Sequence, residues 1–149
     1  MYDHILIPSD GSSLAQVGVD HGLALAKIHG AKVTAVTVTE PFGGQFAFAS
    51  DLWTPDEAAA AEYDEAQRAI AERVLAPIEA KANAMGIPIE TVHIPGRLVS
   101  SAITDLAGER GCSVIVMSSH GRTGIIGAML GSQAQSVATS STVPVIIAR

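Results

Sequence analysis

Five short apolar runs alternate with segments of helical periodicity. The runs are His4–Pro8, Lys32–Val38, Ile87–Ile94, Ser113–Met117 and Val143–Ala148. Most are continuously apolar, as strands buried on both faces are. Strands separated by helices imply right-handed crossovers and a parallel sheet. The pattern predicts a three-layer α/β/α sandwich around a five-stranded parallel sheet. With no linker, repeat or low-complexity tract, residues 1–149 read as one domain.

The helical segments carry their own signals. The first helix follows Ser12 or Ser13, with Leu14, Val17, His21, Leu25 and Ile28 on one face and His21 read as a core or half-buried histidine. Gly18 and Gly22 beside that face let the helix lie close to the sheet, and Gly30 suits a C-terminal cap. Thr54-Pro55-Asp56-Glu57 reads as N-cap, first-turn proline and capping-box glutamate. Ile70, Val74, Ile78 and Met85 continue that helix; Pro77 predicts a kink or break, and Gly86 an end. A third helix over about Val99–Glu109 buries Val99, Ile103 and Leu106, and a last one begins at Ser132 and carries Val137.

Composition narrows the function classes. Hydrophobic residues make up 48% but aromatics only 4%, so the core is aliphatic and alanine-rich. Net charge is −6 with no basic stripe, which argues against nucleic-acid binding. The lone Cys112 excludes an intramolecular disulfide and reads as a small reduced residue beside a strand. The N-terminus lacks the pattern of a signal peptide, and no stretch approaches the ~18 apolar residues of a membrane span. The expectation is a soluble, cytoplasmic protein with no membrane contact.

All three phenylalanines and the only tryptophan fall in Pro41–Trp53. That loop reads either as a lid or partner-contact segment, made mobile by Gly43-Gly44, or as rings packed on the domain.

Two strands end in loops of small and polar residues. The first runs into Pro8-Ser9-Asp10-Gly11-Ser12 and the fourth into Ser118-Ser119-His120-Gly121, followed after nine residues by Gly131-Ser132. In an open parallel sheet, ligands bind beyond the carboxyl ends of strands where the strand order reverses. A small-residue loop that re-enters a helix at a Gly-Ser step offers backbone N–H groups and helix-start potential to phosphate. If the first and fourth strands are neighbours, both loops face one crevice. Asp10 then accepts hydrogen bonds from a ribose or base amine, caps the following helix, or does both. Arg122 either neutralises phosphate or is solvated. There is no P-loop lysine and no Rossmann glycine fingerprint, so phosphate contacts would come mostly from the backbone.

With these residues the chain resembles the universal stress protein family, from Ile5-Leu6-Ile7-Pro8-Ser9-Asp10-Gly11-Ser12 to Pro144-Val145-Ile146-Ile147. ATP-binding members of that family carry Gly, two residues, Gly, nine residues, Gly, then Ser or Thr. The pattern falls on Ser118, Gly121, Gly131 and Ser132, with serine in place of the first glycine. The resemblance implies a Rossmann-like fold of strand order 3-2-1-4-5 and ATP between the first and fourth strands, with any Mg2+ or Mn2+ held by the phosphates. Pro8 and Asp10 would lie near the nucleoside, Val38 near the adenine, and Met117 and Ser118 along the crevice. Ser9, His120, Gly121, Arg122, Gly131, Ser132 and Gln133 complete the expected set. The resemblance further implies a homodimer through edge pairing of Val143–Ile147, where Pro144 suits a strand start.

The leading expectation is a non-catalytic, ATP-binding dimeric module of stress response or signalling. One alternative is a slow ATPase or nucleotidyl transferase, with His120 as acid/base and Asp10 as metal ligand or base. No neighbouring acidic pair supports a two-metal site. Another is an interaction module without nucleotide, favoured by Ser118 and the aromatic loop. A hydrolase triad and a zinc site lack the required spacings.

Overall fold

The computed structural model describes residues 1–44, 56–121 and 130–149. Among them are five strands and four helices. The strands are β1 (His4–Pro8), β2 (Lys32–Thr39), β3 (Ile89–Pro95), β4 (Val114–Ser118) and β5 (Val145–Ala148). The helices are α1 (Ser13–His29), α2 (Glu57–Ala84), α3 (Val99–Glu109) and α4 (Ser132–Ser140). The sheet order is β3-β2-β1-β4-β5 and every pair is parallel.

The alternation of side chains sorts the core into two layers. Ile5, Ile7, Val33, Ala35, Val114 and Val116 meet Val19 and Leu23 of α1 and Leu75 and Ile78 of α2. On the other face, Leu6, Val36, Ile115 and Met117 meet Ile103 and Leu106 of α3 and Val137 of α4. β1 is wholly buried, as its unbroken apolar sequence requires.

Helix α1 turns a different face inward from the one expected. Ala15, Gly18, Val19, Gly22, Leu23 and Ala26 are buried, while His21 is exposed and Ile28 is 79% exposed. The reason is steric. A Cβ on Gly18 would lie 2.5 Å from Ser118 N, and one on Gly22 2.5 Å from Ile7 Cδ1. The helix comes so close to the sheet at positions 18 and 22 that only glycine fits there, while Val19 and Leu23 beside them fill the core.

Several boundaries also move: β2 and β3 each run one residue further, to Thr39 and Pro95, and β4 spans Val114–Ser118 in place of Ser113–Met117. Helix α2 starts at Glu57 with Asp56 as N-cap, and Thr54 and Pro55 lie outside the described residues. It runs through Pro77 without a break. Proline removes one helical hydrogen bond there, and the burial of Leu75 and Ile78 on either side offsets that loss. Ile87 belongs to the preceding turn, because its N–H returns to Ala82 O at 2.9 Å. Val143 is likewise held in a turn by the Ser141 hydroxyl, so β5 starts after Pro144.

Candidate functional site

The tips of β1 and β4 lie side by side because those strands are paired. After buried Pro8, the Ser9 N–H bonds Val36 O of β2 at 2.9 Å, which carries the strand direction one residue further. The chain then turns on its own side chains. Asp10 Oδ1 accepts from Ser12 N–H at 2.9 Å, and Ser9 Oγ accepts from Gly11 N–H at 3.2 Å. The Ser12 hydroxyl is the N-cap of α1, accepting from Ala15 N–H at 3.1 Å. Asp10 thus closes the turn while Ser12 caps the helix.

Among the described residues, four hydrogen bonds pin the β4 loop. Ser119 N–H donates to Ala148 O of β5 at 2.9 Å, and Gly131 N–H donates to Ser119 O at 2.8 Å. Ser118 Oγ donates to His120 O at 2.6 Å. Ser119 Oγ lies 3.0 Å from His120 Nδ1 and fixes that ring. The ring rests over Gly131, with His120 Cδ2 3.4 Å from where a Cβ there would be.

Asp10 and Gly121 meet across the crevice, as a Cβ on Gly121 would lie 2.6 Å from Asp10 Oδ2. Helix α4 starts beside them at Ser132, with Gly131 as N-cap and, among the described residues, no side chain capping it. Its first-turn amides at Ser132 and Gln133 have no intrahelical acceptor, and both residues are exposed. Val38 and Met117 share the sheet face toward α3 and α4 and belong to one apolar cluster. Pro8, Ser9, Asp10, Ser118, His120, Gly121, Gly131, Ser132 and Gln133 therefore gather at the carboxyl edge of β1 and β4. Arg122 lies outside the described residues.

Two expectations about amides and glycines change. The Gly131 amide is committed to Ser119 O, so it offers nothing to a ligand in this arrangement. Its lack of a side chain serves the chain itself, since a Cβ would lie 2.8 Å from Ser119 O. Of the aromatic loop, Phe42 packs against Tyr63 with ring centroids 5.2 Å apart and planes tilted by 59°, and the Tyr63 hydroxyl bonds Glu40 O at 2.9 Å. Phe46, Phe48 and Trp53 lie outside the described residues.

One contributor was invisible in the sequence. Val74 of α2 backs the Asp10 turn, with its Cγ2 2.7 Å from where a Cβ on Gly11 would be. Gly11 has φ +78°, a conformation that favours glycine. Ser9, Gly11, Gln16, Arg73, Val74 and Pro77 line an open cavity of about 280 Å³ behind the turn. Nothing in the spacing of residues 11 and 74 signals this contact.

The model of the universal stress protein family matches residues 1–149, and the chain belongs to that family. It is 28% identical to the universal stress protein YxiE of Bacillus subtilis, covering 100% of both chains. Its fold is similar to the solved structure of UspA from Lactobacillus plantarum, with a TM-score of 0.81 and 22% identity over 99% of this chain and 98% of that one. A universal stress protein solved in complex with cAMP matches at a TM-score of 0.70 with 24% identity over 99% and 97%. One from Archaeoglobus fulgidus in complex with dAMP matches at 0.66 with 21% identity over 99% and 98%. Among the described residues no group of acidic, histidine or cysteine side chains forms a metal site, and no helix is long and apolar enough to cross a membrane.

Proposed function

We propose that this protein binds an adenine nucleotide, with ATP as its ligand, at the crevice between the tips of β1 and β4, and that it acts as a dimeric binding module in stress response or signalling. The observation that carries the reading is the contact of Asp10 with Gly121 beside the uncapped start of α4. The relatives in complex with cAMP and dAMP support the ligand class. In this reading the amides of Gly121, Ser132 and Gln133 and the helix-start potential hold phosphate oxygens. Any Mg2+ or Mn2+ rides on those phosphates. Asp10 accepts from the ribose hydroxyls, and Val38 and Met117 offer an apolar wall to the base. Backbone donors bind phosphate without supplying a general base, so binding needs no turnover.

The test is thermal melting and calorimetry of nucleotide-stripped protein with ATP and Mg2+. Ligand that binds only the folded state raises the melting temperature by mass action, by a few degrees at about a hundredfold excess over Kd. No shift and no heat at millimolar ATP would overturn the reading. Mass spectrometry of nucleotide carried through purification checks it independently.

The dimer in this reading forms through β5. Among the described residues that strand pairs only with β4, and Val145, Ile146 and Ile147 are half-buried in the single chain. An apolar strand with an unpaired outer edge favours pairing with a second copy. Light scattering is expected to give a dimer mass for the natural chain and a monomer mass for Ile147→Asp. A natural chain that is monomeric at about 100 μM, a concentration that populates even weak micromolar dimers, would contradict it.

A further inference from the structure

We propose that Ser118, which stands where the family pattern has glycine, is a positioning residue: its hydroxyl sets the direction of the Gly121 N–H and so tunes the site for phosphate. The inference rests on the nucleotide reading above and adds a role that the glycine of the pattern has no atoms to perform.

The argument starts from backbone conformation. No described residue other than glycine has positive φ, so position 118 does not need glycine's freedom here and serine is unstrained. Ser118 is the last residue of β4 and is 9% exposed, against the α1 side of the sheet where Gly18 meets its backbone. From there its Oγ reaches forward two residues and donates to His120 O at 2.6 Å. That is a short hydroxyl–carbonyl bond in a part-buried setting, where the lower dielectric strengthens it relative to one in water.

A planar trans peptide does the rest. The described peptides are all trans, and in a trans unit the C=O and the following N–H point in opposite directions. Drawing His120 O toward the end of β4 therefore turns the Gly121 N–H away from the strand, toward the crevice. The neighbouring unit is held independently, because Ser119 O accepts from Gly131 N–H at 2.8 Å. Without the hydroxyl, the 120–121 peptide loses the bond that selects one of its two faces. A flipped unit would present the His120 carbonyl to an anion in place of an N–H, which is repulsive.

The consequence is specific to phosphate. Loss of the hydroxyl penalises ligands that carry phosphate and spares the nucleoside. Ser118→Ala and Ser118→Gly are compared with the natural protein by calorimetric titration with ATP and with adenosine. Both variants are expected to bind ATP about tenfold more weakly, the worth of one well-formed hydrogen bond, and adenosine within about twofold of the natural protein. Restoring the pattern glycine would thus weaken binding, the opposite of what the family pattern alone suggests. A purely structural role would lower affinity for both ligands in parallel with the melting temperature, so the ATP-to-adenosine ratio separates the two. Unchanged ATP affinity in both variants, or equal losses for ATP and adenosine, overturns the inference and leaves the nucleotide reading intact. A natural protein that binds neither ligand overturns both. In the free protein, the His120 carbonyl carbon resonance is expected to move in Ser118→Ala, and an unmoved resonance would show that the bond is absent in solution.

Discussion

The Asp10 carboxylate lies against the backbone of Gly121, so close that a Cβ at position 121 would come within 2.6 Å of Oδ2. Two loops 111 positions apart are thus in register to within an atom's width. Gly121 does not have positive φ, so alanine is conformationally allowed there and the strain falls on the Asp10 side chain. Gly121→Ala is expected to leave the melting temperature within a few degrees and to weaken ATP binding about tenfold by displacing that carboxylate. Calorimetry beside thermal melting checks this, and undiminished affinity would mean that the contact is not part of the site.

Gly18 and Gly22 both hold α1 against the sheet, but what a side chain would strike differs. At Gly18 it meets backbone, Ser118 N at 2.5 Å and Met117 C at 2.8 Å; at Gly22 it meets the end of the Ile7 side chain. Backbone cannot rotate away, whereas Ile7 Cδ1 can. Gly18→Ala is expected to cost about 3 kcal/mol and Gly22→Ala about 1 kcal/mol. Urea denaturation compares them, and equal costs would show that the β4 tip yields.

Two histidines set a pH dependence. His4 is buried with Nε2 2.8 Å from Thr34 Oγ1; burial first, and then the nearby Lys32 charge, hold its imidazole below the usual 6.5, partly opposed by a hydrogen bond to the Arg110 backbone and then by Asp3 and Glu90. His93, with Nε2 2.8 Å from Thr39 Oγ1, is lowered by burial and then by Arg68. A folded pKa below the unfolded one means that the unfolded chain takes up the proton first as pH falls. Their stabilising contribution is present in full above about pH 6.5 and is lost as pH drops toward the lowered folded values. Melting temperature is expected to fall over that range, and His4→Gln with His93→Gln to flatten the slope. A slope unchanged in the double variant would assign it to other groups.

Cys112 is 3% exposed, and burial pushes its thiol up to about 11. Reactivity follows the thiolate, so a disulfide reagent at about pH 8 is expected to leave the folded protein unlabelled and to label it fully in urea. Rapid labelling without denaturant would reveal opening between α3 and β4.

Much of this molecule was legible in one dimension. Continuous apolar runs and their helical spacers located all five strands, and the bounds of β1 and α3 were read residue for residue, because burial on both faces of a parallel sheet leaves an unbroken apolar signature. The Ser118 to Ser132 spacing likewise announced a loop and a helix start. What the linear pattern left open was settled by neighbours far away in the chain. The inward face of α1 follows from how near β4 and β1 lie, which requires glycine at positions 18 and 22 and so turns Val19 and Leu23 inward beside them. The role of Gly131 follows from Ser119 O, which claims its amide. Val74 backs Gly11 only because α2 crosses the β1 tip. Burial patterns are carried by side-chain type and so are written locally. Which amide bonds which carbonyl depends on distances between segments that are set only once the chain has folded.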